Sequence, residues 1–504
     1  VTTLISTPTR AGRKAWAGLV VLMLPVLLVS VDNTVLSFAL PQIARDLQPS
    51  AAMQLWIVDV YPLALSALLV AMGSLGDRIG RRRLLLIGSA GFAAVSVLAA
   101  FSTTAAMLVA ARVLLGVFGA MLMPATLSLI RTMFEDRSQR RLAIAIWATG
   151  FAAGSAIGPI VGGVLLEVAP WGSIFLIAIP VLLPLLVLAP RLVPESRDPE
   201  PGPIDRVAIL LSMLTLAPIV FAIKHAATDG IDLVAVGAVL VGVAAGWAFV
   251  RRMLRQPTPM LDVRLFRVPA FTGSILVNLM SIVSLVGLLY FLSQHLQLVE
   301  GLSPLQAGLV LVPGTALMVV AGLVVVPIVR RVKPGLVMAV GLGMSAVAFL
   351  TIAIAGAEAS LLLLVAAFAL LSAGDGAAQT LSNDMIVSSV PPEKAGAASA
   401  VSETAYEAGA VLGTAVLGGI LTATYRGELR VPEGVPAADG AAARETLAGA
   451  LEVAGRLPDS LGAALTESAR HAFDSGVVFT SGVAAVLMTG AVVLTLALLR
   501  NAKA

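Results

Sequence analysis

The stretch Gly73-Ser-Leu-Gly-Asp-Arg-Ile-Gly-Arg-Arg-Arg83 joins two long apolar runs, Met53–Leu75 and Leu84–Phe101. About twenty apolar residues in helical form cross ~30 Å of hydrocarbon. The two runs therefore read as membrane spans and the stretch between them as a surface loop. Its glycines permit a tight turn and close helix approach, and Asp77 can cap or salt-bridge a neighbouring helix end. Basic loops stay on the cytoplasmic side of a membrane. That rule accounts for Arg78, Arg81, Arg82 and Arg83, but not for Gly73, Asp77 and Gly80 at fixed places.

Outward from this loop the pattern repeats along the chain. Of its 504 residues 58% are apolar and 12% charged, whereas a soluble domain carries about 25% charged residues. Fourteen apolar runs stand between charged or Pro/Gly punctuation: Trp16–Leu40, Met53–Leu75, Leu84–Phe101, Ala105–Ile130, Leu142–Leu166, Ile174–Ala189, Val207–Ile223, Ile231–Val250, Ala270–Leu292, Ala307–Val329, Leu336–Ala355, Leu361–Met385, Ala397–Tyr425 and Gly476–Leu499. No small-residue cleavage site follows the first run, so it is expected to be a retained span rather than a signal peptide. With the amino terminus inside, 25 of the 33 basic residues fall in cytoplasmic segments. Seven fall outside, five of them in the long loop Arg426–Arg470, and Arg112 lies within a span. A missed or spurious helix would scramble that alternation, so both termini are expected to be cytoplasmic.

The Pro-rich, charged connections Arg191–Arg206 and Arg251–Pro269 cannot continue helices. They bracket spans 7 and 8. The expected architecture is all-α and polytopic, with a six-helix bundle over 1–190, an inserted helix pair over 191–269, and a second six-helix bundle over 270–504. The halves read as diverged repeats: Arg81 and Arg82 follow Gly73 at the same offsets at which Arg330 and Arg331 follow Gly322. Within the long loop of residues 426–475, Thr446–Arg456 and Asp459–Phe473 read as two amphipathic arms of a helical hairpin over the outer mouth, in the first place a structural cap.

The loop Gly73–Arg83 resembles the signature loop of the major facilitator superfamily, where it latches two six-helix halves on the cytoplasmic side. Span 4 carries Arg112 in RVLLGVFGA, which resembles the family's intramembrane-arginine motif. Span 5 carries Gly154-Ser-Ala-Ile-Gly-Pro-Ile-Val-Gly-Gly163, which resembles the motif of its antiporters. There Gly154, Gly158 and Gly162 recur every fourth residue as a flat face for helix packing, and Pro159 interrupts the backbone ladder. Asp32-Asn-Thr-Val-Leu-Ser-Phe-Ala-Leu-Pro41 is similar to the signature of the fourteen-span drug:proton antiporters. Trp56–Tyr61, Leu296–Gly308 and Ser402–Gly409 add a resemblance to exporters of quaternary ammonium compounds and cationic dyes in bacterial plasma membranes. Two features depart from the pattern. The tryptophan-rich start of span 6 is reduced to Trp171-Gly-Ser, and Asp375 has no counterpart to carry over.

A charge at the bilayer centre costs from ~2.5 to more than 10 kcal/mol depending on the reference, so intramembrane acids face a cavity or a partner. Away from the ends of the runs, five acids fall within spans: Asp32, Asp59, Asp375, Glu403 and Glu407. Arg112 reads as the only intramembrane base. At 1.5 Å per residue, Asp32 lies roughly 12 Å and Asp59 roughly 9 Å from the outer ends of their runs, and Arg112 is at a similar depth. The three are expected to meet. Glu403 and Glu407, four apart, share one face of span 13 in the opposite half. Desolvation and like-charge proximity both favour protonated carboxyls, and one arginine cannot neutralise five acids. A cavity with excess acid favours lipophilic cations and protons. Trp56, Tyr61 and Tyr406 are the nearest aromatics for cation–π contacts, Tyr406 foremost.

Zero cysteines exclude disulfides and thiolate metal sites, and three scattered histidines (His225, His295, His471) form no metal cluster and are expected to be solvated in or near outer loops. No P-loop sequence is present, so ATP is not expected as the energy source, and no cofactor, metal or nucleic acid is called for. The sequence reads as a secondary active transporter rather than an enzyme: a proton-coupled multidrug exporter of lipophilic, mainly cationic compounds, working as a single chain by alternating access between two six-helix halves. A dedicated exporter of one natural product is the main rival. An importer or a non-transporting sensor fits less well, because the span 5 motif resembles that of antiporters and no soluble signalling domain is appended.

Overall fold

The computed structural model describes residues 11–134, 136–197, 205–228, 230–256, 259, 263–329, 331–356, 359–390 and 395–499. The first group of helices is α1 (Arg13–Leu47), α2 (Ala51–Ile79), α3 (Arg81–Ala100), α4 (Ala105–Met133), α5 (Arg137–Val168), α6 (Ser173–Leu176) and α7 (Ala178–Leu192). A pair follows, α8 (Arg206–Thr228) and α9 (Leu233–Arg255). Next come α10 (Pro269–Gln294), continued by a π-helical turn His295–Val299, then α11 (Pro304–Ile328), α12 (Pro334–Ala355) and α13 (Leu361–Ser388). Helix α14 (Ala395–Leu412) runs through a π-helical stretch, Gly413–Gly418, into α15 (Gly419–Glu428). Short helices α16 (Ala437–Glu445) and α17 (Leu447–Ala454) precede α18 (Asp459–Leu499).

Thirteen helices among the described residues are long and apolar enough to cross a membrane. Helix α5 spans 32 residues and covers the remaining expected run. Span 6 is formed by α6 and α7, which join through Ile177 in a helical conformation, and span 13 is the composite of α14 and α15. On one side α1 packs on α5 and α7, α2 on α4, and α3 on α4 and α7. On the other, α10 packs on α13, α14 and α18, α11 on α13, and α12 on α13 and α18. The two groups meet where α5 lies on α11 and α2 on α14. Arg330, one half of the repeat comparison, lies outside the described residues.

Helix α8 packs on α2 and α15, and α9 packs on α8. Most of the pair faces outward, with Leu233, Val243 and Trp247 exposed, as suits helices surrounded by lipid. Asp205 ties the two together. Its carboxylate accepts from the Ala208 amide at 3.0 Å, capping α8, and from Arg252 Nε of α9 at 2.6 Å. The Arg252 hydrogen bond, with the Ala208 amide and Gln256 adding to it against the cost of burial, lowers the Asp205 pKa from 3.8 to about 2. A depressed carboxyl pKa gives stability that is complete above the ordinary value and is lost as pH falls through the folded one. Asp205→Ala should therefore cost about 1 kcal/mol near neutral pH, the scale of a lost N-cap. The wild-type advantage should shrink between pH 4 and 2, as thermal melts of both proteins at each pH would show.

The long loop differs from a simple two-armed hairpin. Its expected second arm, Asp459–Phe473, is the first part of α18, which runs unbroken for 41 residues into the last span. The reason is continuity of pattern: Gly462, Leu465, Ala469, Ala472 and Gly476 are buried on one face and carry that face into the span. The expected first arm, Thr446–Arg456, is α17, which Thr446 caps through the Gly449 amide, and the further short helix α16 precedes it. This cap fastens to both groups of helices. The Tyr425 hydroxyl donates to Ala443 O at 2.9 Å, Gln48 Nε2 to Glu452 at 2.7 Å, and the Ala51 amide to Glu445 at 2.8 Å. On the same face Ser293 donates to Ser37 O and Gln297 to Phe38 O. The hairpin face is closed.

Candidate functional site

The site is built on a proline. Pro62 in α2 has no amide hydrogen, so the carbonyl of Val58 four residues earlier lacks its intrahelical donor. Arg112 of α4 supplies one: Nη2 donates to Val58 O at 3.3 Å and Nε to Ile57 O at 3.1 Å. It reaches them because α4 rides close on α2 at Gly116, where a Cβ would stand 2.7 Å from Tyr61 O. The same guanidinium donates through Nη1 to Asp32 Oδ2 of α1 at 2.6 Å and lies 4.5 Å from the centre of the Tyr61 ring. Arg112, Asp32 and Tyr61 are all buried. Helix α1 continues to Leu47, which puts Asp32 about 22 Å from its end at 1.5 Å per residue.

Asp59 does not join that pair. Its Oδ2 lies 3.0 Å from Nζ of Lys224, so Arg112 is not the only base within the spans. In the sequence span 7 ends at Ile223, because a lysine after an apolar run reads as punctuation, whereas α8 continues to Thr228. Lys224 and Asp59 are both fully buried, and the ammonium lies 3.9 Å from the centre of the Trp56 ring. The cation–π partners of Trp56 and Tyr61 are thus the protein's own Lys224 and Arg112. Tyr61 is enclosed and is not an interfacial anchor.

Glu407 of α14 is buried and within hydrogen-bonding reach of the Asn33 side chain on α1. It feels the charges of Glu403, Asp32 and Arg112. Glu403 and Tyr406 are half-buried one turn away or beside it. Asp375 is fully buried elsewhere, in α13, held by Ser284 of α10 at 3.1 Å and Ser345 of α12 at 3.1 Å. Nothing in their spacing could have paired these serines with Asp375. Among the described residues, neither Glu403, Glu407 nor Asp375 forms an ion pair.

The glycine face of α5 frames the Asp32 layer. Cβ atoms at Gly154, Gly158 and Gly162 would meet Ser30, Thr34 and Val35 of α1. On its other side, one at Gly163 would stand 2.6 Å from Leu305 Cα of α11, and Gly308 abuts the Pro159 carbonyl. The motif therefore lets α5 lie tightly between α1 and α11. The Gly73–Arg83 stretch is not the surface loop expected: residues 73–79 are the last turns of α2 and Arg81–Arg83 open α3, because Gly80 alone makes the turn, with a φ of 106° that favours glycine, while Gly73 packs on Pro124. Asp77 pairs with Arg81 at 2.8 Å, beside Arg78. The Glu195 carboxylate caps α3 by accepting from the Arg82 and Arg83 amides at 3.0 and 3.2 Å, and Arg81 donates to Ser196. These contacts fasten the loop to the segment after α7.

Two histidines depart from the solvated setting expected. His295 is buried, with Nδ1 3.1 Å from Asp474 of α18, because the chain around it continues as a π-helical turn rather than a loop. His225 is half-buried and 3.0 Å from Asp232.

The profile of the Major Facilitator Superfamily matches residues 22–414. The chain belongs to this superfamily. It is a multi-pass membrane transporter, not an enzyme. It is 59% identical to the "Multidrug efflux pump LfrA" of Mycolicibacterium smegmatis over 96% of each chain. It is 34% identical to the "Methyl viologen resistance protein SmvA" of Salmonella typhimurium, over 91% of this chain and 93% of that one. The "Tetracenomycin C resistance and export protein" of Streptomyces glaucescens is also 34% identical, over 95% and 91%. A bacterial homolog of the human lysosomal transporter Spinster, solved inward-facing and unoccupied, superposes with a TM-score of 0.66 at 18% identity over 98% of this chain and 99% of that one. That likeness speaks for the fold alone.

Proposed function

We propose that the chain is a proton-coupled antiporter that exports lipophilic, mainly cationic compounds across a bacterial plasma membrane. The observation that carries this reading is Glu407. It is a buried carboxylate without an ion-pair partner among the described residues, set against Asn33 and within electrostatic reach of the Asp32–Arg112 pair. Such a group is neutralised by a proton or by a cargo cation, and competition between the two is what antiport requires. The names of the relatives, a multidrug pump and a methyl viologen resistance protein, support cationic cargo.

In this reading Asp32 and Arg112 handle the proton, while Glu407, Glu403 and Tyr406 meet cargo. Asp375, caged by serine hydroxyls, is a second acid for a proton. The six-helix groups over 1–190 and 270–504 rock about the α5–α11 and α2–α14 contacts, with 191–269 as an inserted pair. The loop Gly73–Arg83 controls interchange between states from the cytoplasmic face, where both termini lie, and the hairpin caps the outer face. One chain suffices.

The test is purified protein in liposomes with an imposed pH gradient and ethidium as cargo. Nigericin or a protonophore should stop uphill movement, and vanadate should not. Vanadate-sensitive, protonophore-resistant transport would end this reading. The tetracenomycin exporter among the relatives favours a second reading, a dedicated natural-product exporter. Transport of one compound alone from a panel of cationic, neutral and anionic compounds would select it.

A further inference from the structure

Lys224 and its partner Asp59 are charged groups near the candidate site that the proposed mechanism leaves idle. Lys224 reaches the site from α8, a helix of the inserted pair. Its Nζ lies 3.0 Å from Asp59 Oδ2 and 3.9 Å from the centre of the Trp56 ring. Around the pair, Leu63, Val220, Val411 and Ala415 form one buried apolar cluster with Trp56 and Ile223 packed against it. An ammonium on an aromatic face, a carboxylate behind it and an apolar wall around both is the chemistry that recognises an organic cation. The receptor is therefore complete, and the protein's own side chain fills it.

The place of Lys224 on its helix matters too. It stands four residues before Thr228, the last residue of α8, about 6 Å from the helix end at 1.5 Å per residue. A flexible lysine stem can carry its ammonium that far toward the surface while its methylenes stay against apolar neighbours. The wall also includes Val411 of α14 and Ala415 of the following π-helical stretch, which continue the helix that bears Glu403 and Glu407.

We propose that Lys224 is a tethered stand-in for cationic cargo: it occupies the Asp59–Trp56 site in the absence of cargo, yields it to an organic cation, and so sets which cations bind. The inference rests on the proposed function, in that the site must receive cations. A tethered competitor acts at an effective concentration of about millimolar, so removing it should tighten binding of a cation that reaches Asp59.

The test uses the full-length protein in detergent with ethidium binding read by fluorescence. Lys224→Met should bind ethidium about tenfold more tightly than the wild type, and adding Asp59→Asn should erase the gain. Lys224→Arg, whose planar guanidinium suits both the carboxylate and the ring, should bind it more weakly than the wild type. If Lys224→Met does not purify as a monodisperse species, Lys224→Gln, which keeps a donor for Asp59, carries the same test. Unchanged or weaker binding in the charge-removed variant overturns the proposal, because that is what a purely structural ion pair predicts, and so does a gain that survives Asp59→Asn, because the gain then does not pass through Asp59. Glu407→Gln measured alongside separates the two readings. If it weakens ethidium binding while removal of Lys224 tightens nothing, only the stand-in role falls. If the wild type binds no ethidium, the cationic-cargo reading falls with it.

Discussion

Asp32→Asn is expected to abolish uphill transport of every substrate, lowering gradient-driven flux by about a hundredfold or more, the scale on which a positioned proton-transfer group acts. The carboxylate is buried and 2.6 Å from a guanidinium that is also anchored to two backbone carbonyls. Arg112 therefore has somewhere to remain when Asp32 takes a proton. The pair can open and close without leaving the arginine wholly unpartnered, as a repeated protonation cycle needs. Asparagine keeps the shape and an acceptor for Nη1 but cannot bind and release a proton. Exchange of labelled for unlabelled substrate without a gradient should consequently survive, while accumulation against a gradient should not. Removing one member of a buried pair also costs about 3–5 kcal/mol when the other is left uncompensated, so monodispersity must be checked first. A well-folded Asp32→Asn that still concentrates substrate would show that the proton is carried elsewhere, with Asp375 the next acid to test.

Much of this arrangement is legible in the sequence because the bilayer imposes length and hydropathy together. All fourteen apolar runs fall on helices. Depth arithmetic brings Asp32 and Arg112 to one layer, and VDVYP even contains the reason Arg112 is needed, since Pro62 strips Val58 of its donor. The glycines at 154, 158 and 162 likewise read as a packing face and pack on α1. What escaped detection lay where two patterns compete. Lys224 ends an apolar run, where a charge reads equally as a boundary or as a buried partner, and only the fold shows that Asp59 waits for it. His295 stands among polar residues that look like a loop, yet the chain stays helical and buries it on Asp474. Ser284 and Ser345 lie on separate helices, so their convergence on Asp375 is a tertiary fact with no local signal. The amphipathic segment Asp459–Phe473 was recognisable as helix, but nothing in its own pattern distinguishes a separate arm from the head of a longer span.

Glu407→Gln should do something different from Asp32→Asn: it should weaken cationic substrates selectively and divalent ones most. The acids divide by what already answers them. Asp32 has Arg112 and Asp59 has Lys224, whereas Glu407 and Glu403 form no ion pair among the described residues. Being four apart, they share a helix face, so a molecule with two separated positive charges gains from both, and a monocation from one. Glutamine preserves size and the neighbourhood of Asn33 while removing the charge. The expected loss is on the order of 1–3 kcal/mol per charge contact, roughly five- to a hundredfold in affinity. A neutral compound should be nearly unaffected, because it never used the charge. Binding and gradient-driven flux for ethidium, methyl viologen and a neutral compound measure the three cases in one preparation. Losses of equal size across all three would mean that Glu407 supports the helix packing or carries the proton, and the division of labour between the two halves would have to be reversed.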